Sequence, residues 1–445
     1  MAARESTSGT RVSRRRAIKD AAAALGGGAA VVLGGGLAQA QAQAPAVQTG
    51  SQQGRQYRAF VVRQNGGSVE TVRMFALHPD RVVVRTEATQ VCYTIVNQVR
   101  SYTPPRIIGH GGVGIVEAIG ENVRRVQVGD RVMVANTPHC GQCYTCLRGR
   151  GDRCQMLPGA GNPMLPIGTL PDDVEVVQHN NEGGFGELMI PYEWYCMPIF
   201  GDINPVDLSM MGCVGACGLG TVFGIAPVDP GSDVAVLGAG PVGLSAIQGA
   251  RIKGASQIIS IEPIPERREL ALKLGATTVL DPNVEGMNLV ARVRDLCKGP
   301  TDRRFAGGRN PVTTANAAGP DFVVEAVGGE VMPARISGPD PTGLLPLQQA
   351  WDMCSSAGHV TTCSVGHRGN FTVPAGQWSN GGKNHHPGNM NGVQGLRDHP
   401  RFARLIQTGQ FNAGAMVTAT YPLDRTMDAV RAVGERTTIG AVVVF

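Results

Sequence analysis

A chain of 445 residues with 42% apolar composition can bury two sizeable cores, so two domains are the starting expectation. Charged residues make up only 17%, which excludes a disordered or coiled-coil protein. The net charge of +5 sits mostly in residues 1–44, where six cations face two carboxylates, so a basic nucleic-acid-binding body is excluded as well.

Ser13-Arg14-Arg15-Arg16-Ala17-Ile18-Lys19 leads into an Ala/Gly-rich apolar run and then an A-x-A series ending at Ala44. Two adjacent arginines before a weakly apolar core resemble a bacterial twin-arginine export signal. The expectation is a periplasmic protein whose first partner is the twin-arginine export machinery. Residues 45–55 read as a polar linker. Strands are predicted at Tyr57–Arg63, Arg81–Thr86 and Gly114–Ile119, broken by Gly and Pro as in a β-rich domain. From Val234 onward, strand-like runs (Asp233–Leu237, Gln257–Ile261, Thr277–Leu280, Phe322–Ala326, His359–Val365) alternate with helical patterns (Val242–Lys253, Glu266–Leu274, Met287–Cys297, Leu345–Ser355). That alternation predicts a parallel, doubly wound sheet. Residues 298–320 and 376–395 read as irregular loops.

Two stretches carry chemistry on their own residues. Gly238-Ala239-Gly240-Pro241-Val242-Gly243 follows a predicted strand and opens a predicted helix. Gly238 allows the tight turn, Gly240 a close approach to a pyrophosphate, and Gly243 close packing of helix on strand; the helix N-terminus then faces the phosphates. Glu262, ending the next strand, can accept hydrogen bonds from ribose hydroxyls and would repel a 2′-phosphate, which favours NAD over NADP. Arg267 could reach the same ribose. The second stretch is Cys140-x2-Cys143-x2-Cys146-x7-Cys154. Eleven cysteines in all are too few for a disulfide scaffold, and four thiolates so close together can enclose one structural Zn²⁺. An iron–sulfur cluster or disulfides are the other readings of that spacing.

The ordered set Val91-Cys92-Tyr93-Thr94, Gly109-His110, Val128-Gly129-Asp130-Arg131-Val132, the four-cysteine lobe, Gly212-Cys213 and the 238–243 turn with Glu262 resembles the zinc-containing medium-chain alcohol dehydrogenases over nearly all of residues 55–445. The resemblance implies an α/β protein with a GroES-like β-rich catalytic domain (56–212, zinc lobe 139–155), an inserted Rossmann domain (213–392) and a return segment (393–445). It implies a catalytic zinc on Cys92, His110 and Cys213 with a fourth position open, hence two zincs per chain, and Thr94 as the hydroxyl that takes the substrate proton. The implied reaction is hydride transfer between an alcohol or aldehyde and NAD, in a dimer or tetramer by analogy. An exported enzyme would hold NAD tightly, because free NAD is scarce outside the cytoplasm.

Three positions depart from the family pattern. Gly111 and Ile95 stand where relatives usually carry carboxylates, and Asn97 where many carry a histidine. Gly111 and Ile95 favour a quinone or enoyl reductase without catalytic zinc, which Cys92, His110 and Cys213 together oppose, and a nucleotide-binding pseudoenzyme is the reading of another class. His139, His385 and His386 are the alternative ligand histidines. Tyr93, Phe185 and Trp378 are candidate pocket walls. Cys196, Cys217, Cys297, Cys354 and Cys363 are expected in the core, and Glu325 is expected to serve the fold at a strand end.

Overall fold

The computed structural model describes residues 52–64, 66–99, 102–158, 163–297, 318–329, 340, 342–388 and 390–445. The export signal and most of the loop expected at 298–320 lie outside them. Of the linker at 45–55 only its last residues are described, and Gly54 and Arg55 already exchange backbone hydrogen bonds of 2.8 Å with Met74.

In chain order the first strands are β1 (Gln56–Arg63), β2 (Gly66–Met74), β3 (Val82–Gln90), β4 (Arg106–Ile107), β5 (Val113–Ile119), β6 (Arg131–Val134), β7 (Gly168–Thr169), β8 (Glu175–Gln178), β9 (Leu188–Met189) and β10 (Cys196–Pro198). Next come β11 (Asp233–Leu237), β12 (Gln257–Ile261), β13 (Thr278–Leu280), β14 (Phe322–Glu325), β15 (His359–Thr362) and β16 (Asn384–Pro387), followed by β17 (Ala419–Pro422) and β18 (Ala441–Val444). Four helices bear on the site: α1 (Val214–Phe223), α2 (Pro241–Ile252), α3 (Pro265–Leu274) and α4 (Leu344–Met353).

Among the described residues β1-β2-β7-β8-β4 close into a barrel, and a second sheet runs β10-β6-β5-β3-β18-β17 with β9 added on β3. The last two strands of the chain therefore return to the sheet begun by the first hundred residues, and β18 pairs antiparallel with β3. Period-two alternation sorts β1 between two cores. Tyr57, Ala59 and Val61 join one cluster, while Phe60 and Val62 join the other.

The third sheet has the order β13-β12-β11-β14-β15-β16, parallel throughout. Its central strand is apolar on both faces because helices cover both: Val234 and Val236 face one cluster, Ala235 and Leu237 the other. The predicted strands and helices of this half all appear, with ends shifted by a few residues. One expectation is corrected. Residues 376–395 are not a loop throughout, since Ala375–Asn380 is helical and β16 forms the sixth strand against β15. Asn-His-His-Pro has no apolar alternation to betray it, because this edge strand is held by backbone pairing and is largely exposed.

Between β11 and β14 the strand order reverses direction, and a crevice at the carboxyl ends of the strands is the expected binding place in such a sheet. α1 packs along α2. The helix that begins just after Cys213 therefore braces the helix that begins at the glycine-rich turn. Among the described residues no single helix is long and apolar enough to cross a membrane.

Candidate active site

Cys92, His110 and Cys213 come together although they are spread over 122 positions: one sulfur or nitrogen from each lies within 4.8 Å of the others, and all three residues are buried. Cys92 stands just after β3, and His110 lies between β4 and β5. Cys213 sits where a 3-10 turn (Met210–Gly212) breaks before α1, at φ −146° and ψ −77°. His110 and Cys213 meet because Gly111 and Gly212 pass back to back. Gly111 has φ +73°, and a Cβ there would lie 2.8 Å from the carbonyl carbon of Gly212.

The residues fit a metal. Neither ring nitrogen of His110 has a hydrogen-bond partner among the described residues, although the side chain is only 3% exposed. A buried imidazole without partners is costly, and a cation between it and two sulfurs would satisfy it. The Cys213 sulfur beside Cys92, together with burial, pushes the Cys92 thiol up, so without a cation these thiols hold their protons. Donors already point at the sulfurs: Thr94 Oγ1 to Cys92 at 3.2 Å and Asn136 Nδ2 to Cys213 at 3.7 Å.

Glu182 is a residue the sequence did not suggest. Its side chain is fully buried; Oε2 accepts the Gly111 N–H at 3.0 Å, while Oε1 has no partner among the described residues. Burial holds its carboxyl well above the ordinary range, opposed only by that N–H. Nothing in sequence spacing could have found it, because it comes from a turn 71 positions away from Gly111.

The departures have a structural setting. Ile95 is wholly buried in the main core, so position 95 serves packing here, and Asn97 is exposed. The alternative histidines do not join the group. His139 accepts the Leu396 N–H at Nδ1, while His385 and His386 lie on β16, bonded to Thr362 and His359. Of the expected walls, Phe185 is wholly buried core and Trp378 stacks on Trp351 with ring centres 5.7 Å apart; Tyr93 is partly buried beside the core. The five cysteines expected in the core are all buried.

The sulfurs of Cys140, Cys143, Cys146 and Cys154 also lie within 4.8 Å of one another. Backbone N–H groups aim at them: Cys143 N at Cys140 (3.3 Å), Cys140 N at Cys154 (3.4 Å) and Gln155 N at Cys143 (3.5 Å). Burial alone would raise the Cys143 thiol, but the Gln155 and Cys146 N–H groups, the Thr145 hydroxyl and the Cys146 thiol bring it down to about 5. Four protein sulfurs leave no open position, which suits a structural ion.

At the nucleotide turn, Gly240 caps α2 and Pro241 begins it, with Val242 next. A Cβ at Gly243 would fall on the carbonyl oxygen of Gly238, so only glycine lets helix and strand come this close. Space above Gly240 is open; a Cβ there would meet only Arg267 Nη1, at 3.8 Å. Glu262 is tied into the turn, accepting from Ala239 N at 2.6 Å and Ile264 N at 3.0 Å. Arg267 leans across the turn toward the return segment, Nη2 donating to Thr438 O at 3.4 Å. Burial pulls its pKa down, and neighbouring Arg436 adds to that pull. A guanidinium beside an open glycine turn suits an anion there.

Glu325 closes β14 and is wholly buried. Oε1 accepts from Val327 N (2.8 Å) and Gly328 N (2.9 Å), and Oε2 from the Ser364 hydroxyl and His367 Nε2 (3.2 Å). The Glu325 hydrogen bond raises the His367 pKa above 6.5, so its stabilisation is complete below the unfolded value and is lost as pH rises through the folded one. His367→Ala is therefore expected to cost about 1.5–3 kcal/mol at pH 5.5 and little at pH 9, read from denaturant melts at the two pH values. An equal cost at both would show that the imidazolium is not what counts.

The Alcohol dehydrogenase GroES-like domain family matches residues 78–200, and the Zinc-binding dehydrogenase family matches residues 241–376. Geraniol dehydrogenase of Castellaniella defragrans is 35% identical over 257 residues, which are 53% of this chain and 66% of that protein. S-(hydroxymethyl)glutathione dehydrogenase of Escherichia coli O1:K1 is 30% identical over 262 residues, 56% of this chain and 70% of that one. The match thus spans just under two thirds of the first relative's length. A solved alcohol dehydrogenase zinc-binding domain protein from Burkholderia ambifaria superposes with a TM-score of 0.73 at 25% identity, over 88% of this chain and 99% of that one. Benzyl alcohol dehydrogenase from Acinetobacter calcoaceticus gives 0.72 at 24% identity, over 88% and 99%, a likeness of fold. The fold is thus a GroES-like domain joined to a Rossmann-like one. The chain belongs to the zinc-binding, medium-chain alcohol dehydrogenase family.

Proposed function

We propose that this protein is a zinc-dependent, NAD-linked alcohol dehydrogenase that passes hydride between an alcohol or aldehyde and the nicotinamide. The observation that carries the reading is the meeting of Cys92, His110 and Cys213, three donors of the type that leaves one zinc position open, around an imidazole with no other partner. When bound, zinc there supplies Lewis acidity to an alcohol oxygen and NAD supplies the hydride acceptor.

The chain's own residues do the rest. Cys92 and Cys213 give up their protons to serve as thiolate donors, and Asn136 supports the Cys213 sulfur. Thr94 Oγ1, beside Cys92, accepts the substrate hydroxyl proton and hands it outward; exposed Asn97 cannot take it, so it passes to water. The N–H groups opening α2, with Arg267 beside them, hold the pyrophosphate, and Glu262 accepts from the adenine-side ribose while fixing the turn. Cys140, Cys143, Cys146 and Cys154 hold the second, structural zinc.

Elemental and nucleotide analysis of the purified protein, followed by a panel of alcohols, tests this. Two zincs per chain and alcohol-dependent reduction of NAD are expected. One zinc and no hydride transfer to any alcohol or aldehyde would point instead to a zinc-independent reductase or a pseudoenzyme. Residues 13–44 support a further reading: the protein folds with NAD inside, crosses by the twin-arginine route and works in the periplasm with its nucleotide retained. NAD should then co-purify with protein gently released from the periplasm, and its absence there sinks that idea.

A further inference from the structure

The turn that carries Glu182 is built at visible conformational cost. Asn180 (φ 54°), Asn181 (φ 63°) and Gly183 (φ 65°) all lie in the left-handed region around it. Two of the three are not glycine, and backbone of this kind persists where surrounding structure holds it for a purpose. The turn is clamped from outside. Arg81 Nη2 donates to Asn181 Oδ1 at 3.1 Å, Glu182 N donates to His179 O at 3.1 Å, and a Cβ at Gly183 would strike the Gln178 amide. All of this drives one carboxylate into the protein interior.

There the carboxylate is half used. Oε2 takes the Gly111 N–H, and Oε1 takes nothing among the described residues, where no lysine or arginine pairs with Glu182 either. One residue from that peptide stands His110, also buried and also without a partner at either ring nitrogen. An unpaired acceptor and an imidazole with an N–H to give are thus linked through the His110–Gly111 peptide. The Gly212–Cys213 backbone packs directly against Gly111, so the same peptide also sits beside Cys213. Glu182 itself stays outside the group of three donors that lie within 4.8 Å of one another, so it is not one of the ligand set.

We propose that Glu182 is the positioning carboxylate of the Cys92–His110–Cys213 centre. One oxygen fixes the Gly111 peptide, and the other is reserved for the His110 ring N–H left over when its opposite nitrogen takes the metal. This rests on the metal reading given above. A carboxylate behind a ligating imidazole fixes its tautomer and makes it a stronger donor, and losing such a partner weakens metal binding about 10–100-fold. Glu182→Gln separates the two jobs, since its amide oxygen can still accept from Gly111 while the charge and the free carboxylate oxygen are gone.

The test is zinc release from the intact protein to a coloured chelator in excess. Wild type should release zinc in two phases, and Cys213→Ala identifies the phase of the Cys92–His110–Cys213 ion by abolishing it. In Glu182→Gln that phase is expected to run at least about 10-fold faster, with the four-cysteine phase unchanged as the internal sign of an intact fold. Cobalt substituted at the same site should show a shifted ligand-field band, which a purely structural role would not move. Both phases at wild-type rates and an unshifted cobalt band would overturn the assignment of Glu182 alone. A wild-type protein with only the four-cysteine phase would instead remove the metal reading itself.

Discussion

Cys213→Ala is expected to leave a folded protein with one zinc per chain and at least about 10³-fold less hydride transfer, since loss of several kcal/mol of Lewis-acid stabilisation costs roughly tenfold per 1.36 kcal/mol. The fold should survive. Cys213 is a small side chain at the start of α1, and the next nine residues of that helix are buried on their own account. Removing one sulfur from such a core costs on the order of 1 kcal/mol. The four-cysteine lobe is a separate group of sulfurs held by its own backbone N–H donors, so its ion should stay. Zinc content, a thermal melt and NAD reduction with the best alcohol substrate together give the result. Full activity in a protein with one zinc would mean that the reaction does not use this centre.

The second large effect runs against family habit. Gly111→Glu puts back a carboxylate where relatives usually have one, and it is expected to destabilise the protein by about 3–5 kcal/mol rather than to improve it. At φ +73° any side chain is strained, and its Cβ would meet the Gly212 carbonyl carbon at 2.8 Å and Cys213 N at 3.1 Å. The obstacle is backbone on both sides, so no rotamer change relieves it. Gly111→Ala should already show most of the loss, which separates steric strain from charge. A melting temperature about 10 °C lower is the expected reading for a domain of this size. A Gly111→Glu protein as stable as wild type would mean that the Gly111–Gly212 crossing is looser than described, and the close approach of His110 and Cys213 would lose its explanation.

Two of the departures from the family pattern, at 95 and 111, illustrate where sequence reading stops. At position 95 an apolar residue reads as a lost carboxylate, but in the fold Ile95 is simply core, packed among residues such as Ile108 and Phe185. At position 111 a glycine reads as a lost carboxylate too. In the fold it is the only residue that admits the Gly212 backbone, and the carboxylate that touches its peptide comes from Glu182. Position-by-position comparison sees only what is missing at a site, because the substitute arrives from a distant turn. The histidines show the same limit. His139, His385 and His386 could not be told from ligands by composition, yet each has a hydrogen-bond partner from a distant stretch of chain.

The sequence alone determined what is encoded over short range: the parallel half from its alternating runs, the glycine turn from its spacing, and the four-cysteine lobe from thiols within fifteen positions. These are local because a strand, a turn and a short loop are each set by neighbours along the chain. Only the tertiary structure decided the rest: that β17 and β18 return to the first half's sheet, that Asn384–Pro387 is the edge strand of the parallel sheet, that Arg267 leans toward Thr438, and that the Glu182 carboxylate reaches the Gly111 N–H. Those placements depend on which distant segments share a core and which backbones can touch. No period or spacing along one stretch of chain carries that information.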